Sequence, residues 1–396
     1  MVLKVLDAFR RMPANTRFLV KAVLFFTPIA LYVALTAAIP LYAGEFSPVE
    51  EVASRQAAGE PILYGPAYRD NYYVFKLASA IRRRPDVLVL GSSRSMQFRA
   101  GLFGPNERFY NAGGAAQSIA EARRFVTDLP AASMPRLLIV GLDQPWFNAR
   151  TGGQHAPSRI PHQIAAERGT AANRAMNTSR FFFWDLCQGK IPVRQLLRGR
   201  DPVYGQTAIG IAAAVRGAGF RNDGSYQYGW LLNPDPVDRR LAEGYQRLRD
   251  DTGHLTRGDA VSQPGLDEVE ALLGFARARG IDVIGFAPPY APGIYRKMAE
   301  GGRHTYLADS ASRLGAAFAR HGFRFFDFTD AAGVGAEDDD MIDDVHASEV
   351  VCLKMYLAML ESLPGTLGRH SDPRSLKDRA SAPRSHRLLA FDSDGR

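Results

Sequence analysis

Two hydrophobic patterns divide the chain. Residues 22–44 form 23 consecutive uncharged positions, which as a helix would extend roughly 34 Å at about 1.5 Å per residue, enough to cross a bilayer. Beyond them, short apolar runs alternate with segments of helical period. Residues 68–84 repeat aromatic and apolar positions at helical spacing, and 86–90 read as the first buried strand. Residues 109–114 predict a second strand closing in a glycine turn, with a helix through 121–129 behind it. The run 137–144 predicts a third strand, apolar until it ends in polar groups.

From about 145 to 264 this rhythm breaks into Gly, Asn, Arg and aromatic clusters, including Phe181-Phe182-Phe183-Trp184 and the segment from Asp223 to Trp230. A stretch this long inside one domain must carry structure of its own, so it reads as an insertion near the substrate site. The alternation resumes with a helix over 266–279, a strand over 281–287, the turn Pro288-Pro289-Tyr290, a helix through 306–321, a strand over 323–328 and a last helix over 348–360. Strands separated by helices require right-handed crossovers, hence an α/β fold with a parallel sheet covered on both faces. The expected division is a basic flank at 1–21, a transmembrane helix at 22–44, a linker at 45–66, an α/β domain at 67–365 and a disordered basic tail at 366–396.

Charge refines the picture at the ends. Lys4, Arg10, Arg11, Arg17 and Lys21 precede the apolar run and Glu45, Glu50 and Glu51 follow it, so the positive-inside rule predicts a cytoplasmic N-terminus and an extracytoplasmic domain. The rival is a cleaved signal peptide, whose apolar region is usually about 7–15 residues; the greater length here favours an anchor. The net charge of +8 resides partly in that flank and partly in the tail, and no basic stripe interleaved with aromatics points to nucleic acid. Cys187 and Cys352 are the only cysteines, compatible with one disulfide or with two free thiols. Neither forms part of a metal motif, and no phosphate loop or dinucleotide pattern is present, so no cofactor is expected.

The candidate chemistry lies at strand ends. The first strand runs into Gly91-Ser92-Ser93-Arg94-Ser95, a turn that could hold a serine at the carboxyl edge of a parallel sheet. A serine needs a base within hydrogen-bond reach and a third group to orient that base. Asp343-Asp344-Val345-His346, just before the last helix, provides an Asp-x-x-His pair. A second such pair, Asp251-Thr252-Gly253-His254, lies inside the insertion, so chain order favours His346. The acidic run 337–344 could alternatively be solvated or bind calcium, but it lacks the EF-hand spacing. Tyr290, at a strand end, and the aromatic cluster of Tyr226, Tyr228 and Trp230 are candidate substrate contacts, the cluster by stacking on sugar rings.

Four blocks in this order resemble the SGNH/GDSL hydrolase superfamily: Gly91-Ser92-Ser93, Asn111-Ala112-Gly113-Gly114-Ala115-Ala116, Gly141-Leu142-Asp143-Gln144, and Asp343-Asp344-Val345-His346. The resemblance implies a three-layer flavodoxin-like α/β/α fold and assigns Ser93 as nucleophile, His346 as base and Asp343 as its orienter. It also assigns Gly114 or Ala116 and the side chain of Gln144 as oxyanion donors. The chain departs from the family pattern in having Ser92 for Asp, Ala116 for Gly and Gln144 for Asn. The Gly-Ser-Ser variant is similar to membrane-anchored members that move acyl groups on envelope polymers, as in alginate O-acetylation and teichoic-acid D-alanylation. The implied partners are an acyl donor, a glycan acceptor, the lipid bilayer and a membrane-bound acyltransferase; the alternative is a non-catalytic binding or scaffold protein in a glycan-export complex.

Overall fold

The computed structural model describes residues 9–151, 158–198, 205–232, 235–382 and 386–391; Lys4 of the basic flank and the last five tail residues lie outside them. The first element is α1 (Ala14–Tyr42), a 29-residue apolar helix only slightly buried by the rest of the chain. It is long and apolar enough to span a membrane. It then passes into α2 (Val49–Ala57) and β1 (Ile62–Tyr64).

The main domain alternates α3 (Tyr72–Arg83), β2 (Val87–Gly91), β3 (Phe109–Gly113), α4 (Ile119–Thr127) and β4 (Leu137–Gly141). An insertion follows, with α5 (Ile160–Arg168), α6 (Ala171–Cys187), α7 (Val193–Arg198), β5 (Thr207–Ile209), α8 (Ile211–Arg216), β6 (Gly219–Phe220), β7 (Tyr226–Gln227) and α9 (Val237–Asp250). The domain resumes with α10 (Gln263–Ala278), β8 (Asp282–Ala287), α11 (Pro292–Gly301), α12 (Tyr306–Arg320), β9 (Arg324–Asp327) and α13 (Glu349–Ser362), and α14 (Pro364–Leu367) and α15 (Pro373–Ser381) close it.

Five strands form one parallel sheet in the order β3-β2-β4-β8-β9. Alternation along the strands builds a core on each side. Val87, Val89, Leu137, Ile139 and Phe286 pack with α11 and α13, while Leu88, Leu90, Leu138 and Val140 pack with α3, α4 and α10. The chain reverses its direction of progress between β2 and β4. This is the switch point at which crevices open beyond the strand ends of such sheets.

Three sequence expectations change. The supposed linker at 45–66 contains α2 and β1, and β1 pairs parallel with β5 and antiparallel with β6 in a second, four-stranded sheet. Its apolar Ile-Leu-Tyr run is fully buried there, a role invisible until strands from the insertion arrive beside it. The tail expected to be disordered folds back over the domain. Leu376, Leu388 and Phe391 are buried, and Arg387 meets Glu337, Asp339 and Asp340 of the acidic run. Finally, between the expected turn at 288–290 and the expected helix through 306–321 the chain forms a further helix, α11, opened by Pro292, whose ring and missing N–H suit a first helical turn. Cys187 is exposed and Cys352 buried, and the two are unbonded.

A buried charge network binds these parts. Arg99, shortly after the serine turn, pairs with Asp223 of the insertion at 2.8 Å and with Glu349 of α13 at 2.5 Å. Glu349 also accepts the N–H groups of Ala390 and Phe391 at 3.1 and 3.2 Å. A charge buried this deeply is tolerated because every oxygen finds donors.

Candidate active site

The site begins with glycines. Gly113, Gly91 and Gly141 end the adjacent strands β3, β2 and β4. A Cβ at Gly91 or Gly141 would lie 2.4 or 2.3 Å from Ser95 Oγ, and one at Gly113 would lie 2.9 Å from the Met96 nitrogen. Bare backbone at all three ends lets the serine turn fold down against the sheet edge. Ser92 caps this 3-10 turn, its Oγ accepting the Arg94 N–H at 3.1 Å and donating to Asp143 Oδ2 at 2.7 Å. The hydroxyl at 92 is thus paired with the carboxylate at 143.

Ser93 stands at the start of the turn, partly exposed while both its neighbours are buried. Its Oγ is 2.9 Å from His346 Nε2. His346 Nδ1 lies 2.9 and 2.7 Å from the two oxygens of Asp343, whose Oδ1 also accepts the N–H groups of Val345 and His346. Burial pushes the Asp343 carboxyl up, but the His346 charge and these hydrogen bonds outweigh it and hold it down at about 2. An ionised carboxylate only accepts, so Nδ1 carries the proton and Nε2 presents its lone pair to the serine hydroxyl.

The adjacent Asp344 turns away. It is buried, pairs with Arg247 of α9, and burial raises its pKa. The rival His254 belongs to a separate short turn, where its carbonyl accepts the Tyr290 hydroxyl at 3.0 Å. Of the two Asp-x-x-His pairs, the structure brings only Asp343 and His346 to Ser93.

The residues expected around the oxyanion are engaged elsewhere. The Gly114 N–H points at the carbonyls of Gly91 and Ser92, at 3.0 and 2.9 Å, and the Ala116 N–H at that of Gly91, at 3.2 Å. Gln144 uses both amide protons on the Pro288 carbonyl and the Thr329 hydroxyl, at 2.7 and 3.0 Å, and its oxygen accepts Arg94 Nη1 at 2.6 Å. In this structure all three groups bond the sheet edge and its neighbouring loops. The Ser93 N–H, by contrast, has no acceptor among the described residues.

Arg94 was not singled out by the sequence. It is 1% exposed and joins four segments: its guanidinium donates to Gln144, to the carbonyls of Pro288 and Pro289 at 2.9 and 2.8 Å, and to that of Val345 at 3.0 Å. The last bond ties the histidine loop directly to the serine turn. Only its position beside Ser93 could have flagged it, since nothing in the sequence marks it as buried.

Among the aromatic candidates, Tyr290 is removed from the substrate side. It is fully buried, with Arg94 stacked 4.5 Å from its ring, and its phenol is pushed up to about 12 by burial. Tyr228 lies beside the site, its ring centroid 6.4 Å from that of His346. Tyr226 and Trp230 flank it edge-on at 4.8 and 6.1 Å. The row leads from His346 to Trp230, which is 44% exposed. No protein-family model matches the chain, and no curated protein matches it.

Proposed function

We propose that the protein is a membrane-anchored, extracytoplasmic serine O-acyltransferase or esterase of SGNH type, acting on a cell-envelope or exported polysaccharide. The observation that carries this reading is the continuous hydrogen-bond line Ser93–His346–Asp343 at the carboxyl edge of the sheet. Ser93 Oγ attacks the acyl carbonyl as His346 Nε2 takes its proton, and Asp343 stabilises the imidazolium. The tetrahedral oxyanion is met by the Ser93 N–H. His346 then protonates the leaving alcohol, and the acyl group stays on Ser93 as an ester. A second nucleophile, deprotonated by His346, releases it: water makes the protein an esterase, a sugar hydroxyl makes it a transferase.

Further support comes from the sheet. Numbered by appearance within it, the strands run 2-1-3-4-5, the order of flavodoxin-like doubly wound folds, with Ser93 beside the switch point. The row Tyr228–Trp230 offers a stacking surface for an acceptor sugar. The basic flank before α1 orients the domain to the extracytoplasmic side, where lipid, glycan acceptor and a membrane-bound acyltransferase as donor are the partners.

A scaffold without turnover is the second reading, favoured by the internal use of the Gly114, Ala116 and Gln144 donors. Turnover of p-nitrophenyl acetate by the detergent-solubilised full chain separates the two. The enzyme reading expects hydrolysis that disappears in Ser93→Ala and His346→Ala. A folded, inert chain that still binds polysaccharide would establish the scaffold.

A further inference from the structure

The large apolar side chains exposed on this protein are confined. Among the described residues all lie on α1 or α6, apart from Trp230 at the candidate site. On α6 they are Met176, Phe181, Phe183 and Trp184, with Met176 and Trp184 69% and 63% exposed. A water-facing helix gains nothing from such a surface, and exposed apolar clusters mark interaction sites.

The packing of α6 indicates what covers it. Phe183 meets the Tyr32 ring edge-on at 5.0 Å, and the Tyr32 hydroxyl donates to Ser179 Oγ at 3.4 Å. Phe182 packs into a cluster with Ala43 and Ile39. Tyr32 precedes Tyr42, the last residue of α1, by a helical distance of roughly 15 Å, about half of a ~30 Å hydrocarbon core. Where α1 spans a bilayer, α6 therefore descends with it below the headgroups. Its polar groups suit that position. Asp185 accepts the Tyr68 hydroxyl at 2.8 Å, Arg174 donates to backbone carbonyls of Glu167 and Gly169, and Arg180 stacks 4.9 Å over Phe181, free to extend its charge to the headgroups.

We propose that α6 is a second, non-spanning membrane element whose Met176, Phe181, Phe183 and Trp184 are covered by acyl chains of the outer leaflet beside α1. The inference rests on the reading of α1 as a membrane anchor. Two helices in one leaflet, joined through Tyr32, fix the tilt of the domain as well as its distance from the bilayer. A single helix leaves the domain free to swing.

The test uses the full chain in phosphatidylcholine vesicles, with the emission of Trp184 isolated as the difference between the parent and Trp184→Phe. Lipids brominated on the acyl chain should quench most of that difference, and aqueous iodide should quench little of it. The reverse pattern, in a chain that floats with the vesicles and resists carbonate extraction, overturns the proposal and places the face in water; protection from both quenchers overturns it too and assigns the face to a second copy of the chain. A chain that carbonate extracts overturns the anchor reading and this inference together.

Discussion

The two sides of Ser93 are prepared very differently. On the proton side, His346 and Asp343 stand in line at 2.9 and 2.7 Å, and the loop carrying them is fastened to the serine turn through Arg94. On the anion side, Gly114, Ala116 and Gln144 bond the structure itself, leaving the Ser93 N–H as the open donor. Proton relay needs three side chains to converge: Asp343 and His346 meet within one short motif, and Ser93 is brought to them from 253 residues away. Anion stabilisation needs donors that remain unused, and use is decided by the neighbours that folding supplies.

The sharpest way to break the comparison is Ser93→Ala, which should lower acyl-ester turnover by about 10⁴-fold or more; an unchanged rate would place the chemistry elsewhere. Asp343→Asn comes next. It should cost on the order of 10⁴ in kcat, because an amide can hold the wrong imidazole tautomer. The same variant tests the electrostatics. The folded value of about 2 lies below the ordinary 3.8 of an aspartate, so the stabilisation from this carboxylate is fully present above that ordinary value and lost as pH falls through the folded one. The parent's stability advantage over Asp343→Asn in denaturant melts should therefore shrink between about pH 4 and pH 2.

Gln144→Leu probes the anion side. If Gln144 stabilised the oxyanion, its loss would cost about 10²–10³ in kcat with stability intact. The observed bonds predict instead a loss of about 1–3 kcal/mol in denaturant stability, since Arg94 Nη1 is left buried without its acceptor, and a kcat within about tenfold of the parent, one tenth of the smallest oxyanion-donor effect. The smallest effect belongs to Trp230→Ala, which touches neither side. It should raise KM for a polysaccharide acceptor by about 2–10-fold, as expected for losing 0.5–1.5 kcal/mol of ring stacking, and leave p-nitrophenyl acetate turnover unchanged. Equal effects on both substrates would remove the aromatic row from acceptor binding.

Much of this arrangement could be read in the sequence because it is local. The buried runs 87–90 and 137–140 announce a two-sided parallel sheet, and the three-residue separation of Asp343 and His346 already allows the carboxylate to meet the ring. Chain order sufficed to prefer His346 over His254. What escaped is long-range. Ile62–Tyr64 becomes a strand only when Thr207–Ile209 and Phe220 pair with it. The tail is basic enough to look solvated, yet Leu376, Leu388 and Phe391 bury against the domain and its arginine finds the acidic run. Tyr290 occupies the strand end where ligands commonly bind but lies beneath Arg94. Arg94 itself is a charge enclosed mainly by backbone carbonyls, an environment no residue pattern reveals. Gln144 carries an amide that could meet an oxyanion, but the fold turns its protons to Pro288 and Thr329.

The central claim is that Ser93 is a nucleophile activated by His346. Treating the folded full chain in detergent with a serine-directed fluorophosphonate, followed by intact-mass measurement and peptide mapping, tests it most directly. The account predicts one adduct, on Ser93, absent in Ser93→Ala and lost in His346→Ala. A folded chain that carries no adduct and turns over no acyl ester, or one labelled at Ser92 or Ser95 instead, would contradict it.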